Sequence, residues 1–254
     1  MASEETSSSD PVTTFGGPPA GEAGGVLTID LGAIFDNYRA LTVRVLPTEC
    51  AAVVKADAYG CGMEQVVPTL TRAGCKTFFV AHLSEARQVR ALAPESTIYV
   101  LNGFIAGTGA AFAETHALPV INSSNELGEW DHFVQTSGFI GGCGIHVDTG
   151  MNRLGFRSDN LRRTLPGLLS SENLVLDGVY THFATADDAD SPLFDTQRRR
   201  FDEACATVAN LGGQPRYRHA ANSAALLRDS RSEEHTSELQ SHHDLVCRLL
   251  LEKK

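Results

Sequence analysis

Lys55 closes the apolar run Ala51-Ala52-Val53-Val54 and opens the stretch Lys55-Ala56-Asp57-Ala58-Tyr59-Gly60. A lysine flanked by that much apolar surface is costly when charged, so its amine is expected to be driven toward the neutral form, ready to act as nucleophile, base or Schiff-base partner. A lysine that snorkels out of a strand end satisfies the same position. Asp148-Thr149-Gly150-Met151-Asn152-Arg153-Leu154-Gly155 follows another apolar run and combines an acid, a tight turn and an arginine. The planar fork of Arg153 can grip a carboxylate through two parallel bonds; an arginine paired with a nearby aspartate in a solvated loop fits as well. His182, in Tyr180-Thr181-His182-Phe183-Ala184, carries little by itself. Asn222-Ser223 reads as the first turn of a helix, where unpaired backbone N–H groups and a hydroxyl favour a phosphate or simply form a cap.

The elements that position these residues repeat a rhythm from Val26 to about Leu227. Short β-branched runs lie at Ala51–Val54, Phe78–Ala81, Ile98–Leu101, Leu118–Ile121, Gly144–Val147, Val175–Thr181 and Tyr217–Ala221, separated by helix-length segments. Near-continuous apolar strands of this kind belong to parallel βαβ units covered on both faces. Ser123 and Glu126 form a capping box ahead of Leu127, Trp130, Phe133 and Val134. A helix from Ser191-Pro192 to Gly212-Gly213 is expected to bury Phe194, Phe201, Ala204, Cys205, Val208 and Leu211. Each run ends in a polar residue: Lys55, His82, Asn102, Asn122, Asp148, His182 and Asn222-Ser223. An open sheet gathers its site at one switch point, whereas a barrel collects residues from nearly every strand onto one rim. The pattern favours an α/β fold of the (β/α)8 TIM-barrel type, with about seven strands present.

Composition narrows the function. The 254 residues carry 21 Lys+Arg against 31 Asp+Glu, a formal charge of −10. That balance supplies no basic stripe for a nucleic acid, and no apolar run approaches the length of a membrane span. Six scattered cysteines, with no Cys-x-x-Cys spacing, point to a reducing cytoplasm and to no zinc site. Residues 1–25 read as a disordered Ser/Gly/Pro-rich arm without the basic start or apolar centre of a signal peptide.

Four segments taken together resemble alanine racemases in the right order: Lys55–Gly62, Val147–Gly155, Tyr180–Asp187 and His219–Ser223. The resemblance covers about residues 26–230. It implies a pyridoxal 5'-phosphate enzyme that interconverts L- and D-alanine for peptidoglycan, with a barrel domain followed by a β-rich domain, working as a homodimer. By similarity Lys55 is the cofactor-bound lysine and catalytic base on the D-alanine face, Tyr59 and Ser223 contact the phosphate, His182 and Asn222 surround the ring, and Arg153 lies toward the substrate. Where many members carry a lysine that becomes carbamylated, this chain has His146, so another group must orient Arg153. The family pattern stops after Ser230, before an eighth strand and the β-domain with its opposite-face base; the chain is therefore expected to be an inactive fragment with open edges at its first and seventh strands. Arg231–Lys254 resembles translated sequencing-adapter sequence and is read as a foreign tail, with a weak helix from about Asp244 and no metal role for His235, His242 and His243. Should that tail dock, it would cover the gap left by the eighth strand. Two other readings use the same first-strand lysine: a non-catalytic barrel of pyridoxal-phosphate homeostasis, and a related D-amino-acid aldolase or decarboxylase. The Asp148–Gly155 run speaks against the former.

Overall fold

In the computed structural model the described residues are Glu22, Gly24, 27–228 and 243–246. The chain divides into two units, Met1–Asp30 and Leu31–Lys254, and the second holds all of the regular structure below. Most of the arm expected at 1–25, and all of the tail except 243–246, lie outside the described residues.

Helix α1 (Leu31–Arg44) leads into β1 (Glu49–Cys50) and β2 (Ala52–Val53), two halves of one strand position interrupted at Ala51. Then come α2 (Lys55–Gly60), α3 (Met63–Arg72), β3 (Thr77–Val80), α4 (Leu83–Leu92), β4 (Thr97–Val100), α5 (Gly109–Thr115) and β5 (Ala117–Ile121). The order continues with α6 (Ser124–Ser137), β6 (Gly141–His146), α7 (Ser158–Ser170), β7 (Leu174–Tyr180), α8 (Leu193–Asn210), β8 (Tyr217–His219), α9 (Ser223–Arg228) and β9 (His243–Val246). Every pairing is parallel, and the spatial order runs β1-β9-β8-β7-β6-β5-β4-β3-β2. Because the first and last members of that order are the two halves of one strand, the sheet curls round toward itself. Seven strand positions, from β1/β2 to β8, make the curl, as the sequence rhythm implied.

Two expectations about the remainder are corrected. The edges foreseen as open are both occupied, since β9 pairs with β8 on one side and β1 on the other. The helix foreseen from Asp244 is this strand; four residues taking up the unpaired N–H and C=O groups of two edges outweigh a weak amphipathic pattern.

All four residues of β3 are buried, as a strand covered on both faces requires. On the outer face α6 buries Leu127, Trp130 and Val134 at helical spacing, and Trp130 packs among Phe104, Phe112, Phe133 and Phe139. Helix α8 buries Phe194, Phe201, Ala204 and Val208 as expected, together with Gln197, which the apolar count had passed over. Leu211 is 43% exposed: it lies just beyond the helix, where its side chain no longer follows the buried face. Inside the curl sits a ring cluster. Phe79 stacks on Tyr99 (centroids 5.0 Å apart) and meets Tyr180 edge-on at 5.8 Å, with Tyr217 in the same buried group. Tyr180 has room only because β6 and β7 carry glycine beside it: a Cβ on Gly144 or Gly178 would stand 2.2 or 2.5 Å from its side-chain atoms. Among the described residues no helix is long and apolar enough to cross a membrane.

Candidate active site

The chain leaves β2 at Val54, whose N–H is held by the Phe79 carbonyl of β3 (2.9 Å), and immediately winds the wrong way. Ala56, Asp57, Ala58 and Tyr59 all have φ between 52° and 58° and ψ between 34° and 52°, a left-handed turn of four non-glycine residues. Left-handed backbone costs about 1–2 kcal/mol per L-residue, so this turn stores on the order of 4–8 kcal/mol. Such strain persists only where the surroundings over-determine it, and it gathers at functional sites. The surroundings here are specific. Ala58 N–H bonds the Val54 carbonyl (2.9 Å), Gly62 N–H the Asp57 carbonyl (3.0 Å), and Asp57 Oδ1 accepts from Met63 N–H (2.7 Å). From α4, Glu85 Oε1 accepts from Ala56 N–H (2.7 Å). Lys55 itself is half-buried at the head of this turn, and Tyr59, also half-buried, packs against the ring cluster.

The Asp148 carboxylate is spent on its own loop: Oδ1 accepts from the N–H groups of Gly150 and Asn152, each at 3.0 Å. Gly155 lets that loop fold back against β6, because a Cβ there would sit 2.8 Å from the His146 carbonyl oxygen at a φ of +105°. Arg153 is thereby lifted out, exposed at the surface, where it lines one small cavity with His146 and His182. It also borders an adjoining cavity of about 290 Å³ with Asn152 and Arg157.

His146 is fixed from behind. Asn122 Nδ2 donates to the carbonyls of Leu101 (3.2 Å) and Val120 (2.9 Å), which leaves Asn122 Oδ1 as the acceptor facing His146 Nδ1 at 2.8 Å. The Nδ1 position therefore carries the proton, and Nε2 of the neutral ring keeps its lone pair. Burial, then the charges of His182 and Arg153, press its pKa down to about 4, with Asp148 opposing. His146 is thus uncharged at neutral pH, and it brings no anion to Arg153.

At the end of β7, Thr181 Oγ1 donates to the Val147 carbonyl (2.8 Å), and Thr149 and Thr181 share a buried bond of 2.8 Å. Gln197 ties these loops to α8: its Nε2 donates to Thr149 Oγ1 (3.1 Å) and to the His182 carbonyl (3.0 Å), while its Oε1 accepts from Ala184 N–H (2.9 Å). After β8, Asn222 caps α9 by accepting from Ala225 N–H at 2.9 Å, and its Nδ2 reaches the Phe183 carbonyl at 3.4 Å. Ser223 follows, buried. The His219 ring stacks on Phe79 at 4.9 Å and so joins β8 to β3 beneath the rim.

The sequence-marked residues therefore fall into three places on the strand-end rim. Lys55 and Tyr59 share the left-handed turn, Arg153 and His182 share a cavity, and Asn222 and Ser223 stand beside the Phe183 backbone. The tethers Glu85, Asn122 and Gln197 were not picked out as site residues. Gln197 was visible as the one polar residue at i+3 from Phe194 on an apolar face, and Glu85 as a glutamate three residues after His82.

A parallel α/β barrel with its polar residues gathered on the rim where the strands end is the frame of an enzyme built on strand-end loops. A family model described as the N-terminal domain of alanine racemase matches residues 29–240. The chain belongs to the alanine racemase family. It is 53% identical over 132 residues to the alanine racemase of Methylobacterium nodulans, covering 52% of this chain and 36% of that protein. To the alanine racemase of Brucella abortus it is 39% identical over 199 residues, covering 75% of this chain and 50% of the other. A crystal structure of alanine racemase from Bartonella henselae with covalently bound pyridoxal phosphate superposes with a TM-score of 0.75 at 33% identity, over 86% of this chain and 57% of that one. The chain thus spans half or less of the length of these two curated relatives.

Proposed function

We propose that this chain is the cofactor-binding barrel of a pyridoxal-phosphate racemase acting on alanine, with Lys55 as the residue that captures the cofactor and works on the α-proton. One observation carries the reading: Lys55, on the rim loop after β2, heads a left-handed turn of four non-glycine residues, and backbone strain of that kind gathers at functional sites.

The residues present suit the group. Lys55 supplies an amine, Tyr59 and the buried Ser223 supply hydroxyls for the phosphate, and Asn222 and His182 would flank the ring. Bound there, pyridoxal phosphate supplies an electron sink that delocalises the charge left on an amino acid's α-carbon when its proton is removed. Lys55 Nζ would hold the cofactor, and its amine, when free of it, would take or return the α-proton on one face. Arg153, with no hydrogen bond or ion pair to another described residue, offers its guanidinium to a carboxylate. Neutral His146 can only accept from that guanidinium and leaves its charge undiminished. Gln197 keeps the Thr149 and His182 loops in register while this happens. A homodimeric cytoplasmic enzyme that provides D-alanine, with 26–230 as its barrel unit, belongs to the same reading and rests on family membership.

Incubating the chain with pyridoxal phosphate, reducing with borohydride and mapping peptides by mass should place one adduct on Lys55, and Lys55→Ala should abolish it. An adduct elsewhere, or none, would overturn the reading. D-Alanine incubated with the loaded chain in deuterium oxide should acquire α-deuterium, and Lys55→Ala should block that exchange.

A further inference from the structure

The left-handed turn is held from outside by a single carboxylate. Glu85, the third residue of α4, is half-buried and uses both oxygens: Oε2 accepts from Ala81 N–H (2.7 Å) and His82 N–H (2.9 Å), while Oε1 accepts from Ala56 N–H (2.7 Å). The first two bonds close the start of its own helix, as a capping glutamate does. The third crosses to the neighbouring βα junction and ends on the amide directly after Lys55. The same device occurs two strands on: Glu126 Oε2 accepts from Asn122 N–H (3.0 Å) and reaches Phe104 N–H at 3.4 Å. There the long bond meets an ordinary loop, whereas at Glu85 the crossing bond is short and meets the first strained residue.

An ionised carboxylate binds an N–H about twice as strongly as a neutral acceptor does. Fixing the Ala56 N–H fixes the peptide plane between Lys55 and Ala56, and with it the direction in which the Lys55 side chain leaves the backbone. We propose that Glu85 is a positioning residue for Lys55: its Oε1 anchors the left-handed turn and so sets the reactivity of the Lys55 amine toward pyridoxal phosphate. The proposal rests on the reading that Lys55 captures that cofactor, but its first half concerns the turn alone.

Two variants of the full chain separate the roles of Glu85. Glu85→Gln keeps one oxygen, which the two N–H groups of Ala81 and His82 claim, and turns an NH2 toward Ala56 N–H. Glu85→Asp keeps the charge at the helix start, which preserves folding, but is one methylene too short to cross. In both, amide exchange at Ala56–Tyr59 should rise about tenfold or more, as expected when one bond to a charged acceptor is lost, while amides within α4 stay protected. The rate of borohydride-trapped adduct formation at Lys55 should fall about tenfold in both. Glu126→Ala removes the corresponding long bond elsewhere and should leave exchange at Ala56–Tyr59 unchanged. Unaltered exchange at Ala56 in Glu85→Asp, or raised exchange with an unaltered adduct rate at Lys55, would overturn the proposal. Should the unmodified chain form no adduct at Lys55, the functional reading falls by itself, and the exchange arm still decides whether Glu85 holds the turn.

Discussion

After β2 the backbone turns left-handed through Ala56–Tyr59; after β5 it enters α6 through an extended Ser123 (φ −150°, ψ 160°) whose hydroxyl accepts from Glu126 N–H. Both junctions do one job, which is to turn a parallel strand back into a covering helix, and each leans on a glutamate at the third helical position of a following helix. At the second junction every local preference agrees: a serine cap, a glutamate partner and a helical apolar face. The residue it delivers, Asn122, is fully engaged in holding His146. At the first junction local preference is overruled, and the residue it delivers is the amine. Strain and relaxed capping thus divide chemistry from scaffolding along one rim.

The largest effect expected from this contrast is electrostatic. His146 hangs from the capped junction and titrates near 4 when folded, against about 6.5 in an unfolded chain. Between those values the unfolded state binds the extra proton, so stability present above pH about 6.5 declines as the pH falls toward 4. His146→Asn, whose amide can still donate to Asn122 Oδ1, should lessen that decline; urea midpoints measured between pH 7 and 4 decide it, and parallel curves for the two proteins would break the assignment. Smaller is the effect of crowding the tether of the capped junction. A Cβ on Gly103, at φ +80°, would stand 2.0 Å from Glu126 Oε2, so Gly103→Ala should cost about 2 kcal/mol or more in urea unfolding. Smallest, and the sharpest test of the contrast, is a pair of opposite signs. Ala56→Gly removes a left-handed penalty of about 1–2 kcal/mol and adds chain entropy of about 0.5–1 kcal/mol, a net gain of about 0–1.5 kcal/mol. Ser123→Ala loses a cap and costs about 1 kcal/mol. A destabilised Ala56→Gly protein would contradict the left-handed turn.

The strand rhythm and the strand-end polar residues were legible because burial on both faces and delivery at one rim leave composition marks in the chain itself. The Ser123 cap was legible because its chemistry is local. The left-handed turn was not: Lys-Ala-Asp-Ala-Tyr holds no glycine until Gly60, and alanine and aspartate there look like ordinary helix or loop. Beside its local bonds, the tether on its first strained residue comes from Glu85, 29 positions away, a separation that no local pattern records. Asp148 illustrates the reverse, since an acid next to an arginine invites a catalytic reading while its oxygen is occupied by two amides of its own loop. His146 was seen only as a departure from a pattern; its protonated nitrogen follows from the two carbonyls that claim the Asn122 amide, which are spatial facts.

Gly144 and Gly178, on adjoining strands, both yield their volume to the Tyr180 ring. The three positions form one unit of inheritance: enlarging either glycine is harmful while the ring remains, and trimming the ring leaves a void that larger residues could then fill. Order of substitution therefore matters, and a lineage that exchanges this aromatic plug must pass through a less stable ancestor or change two sites together.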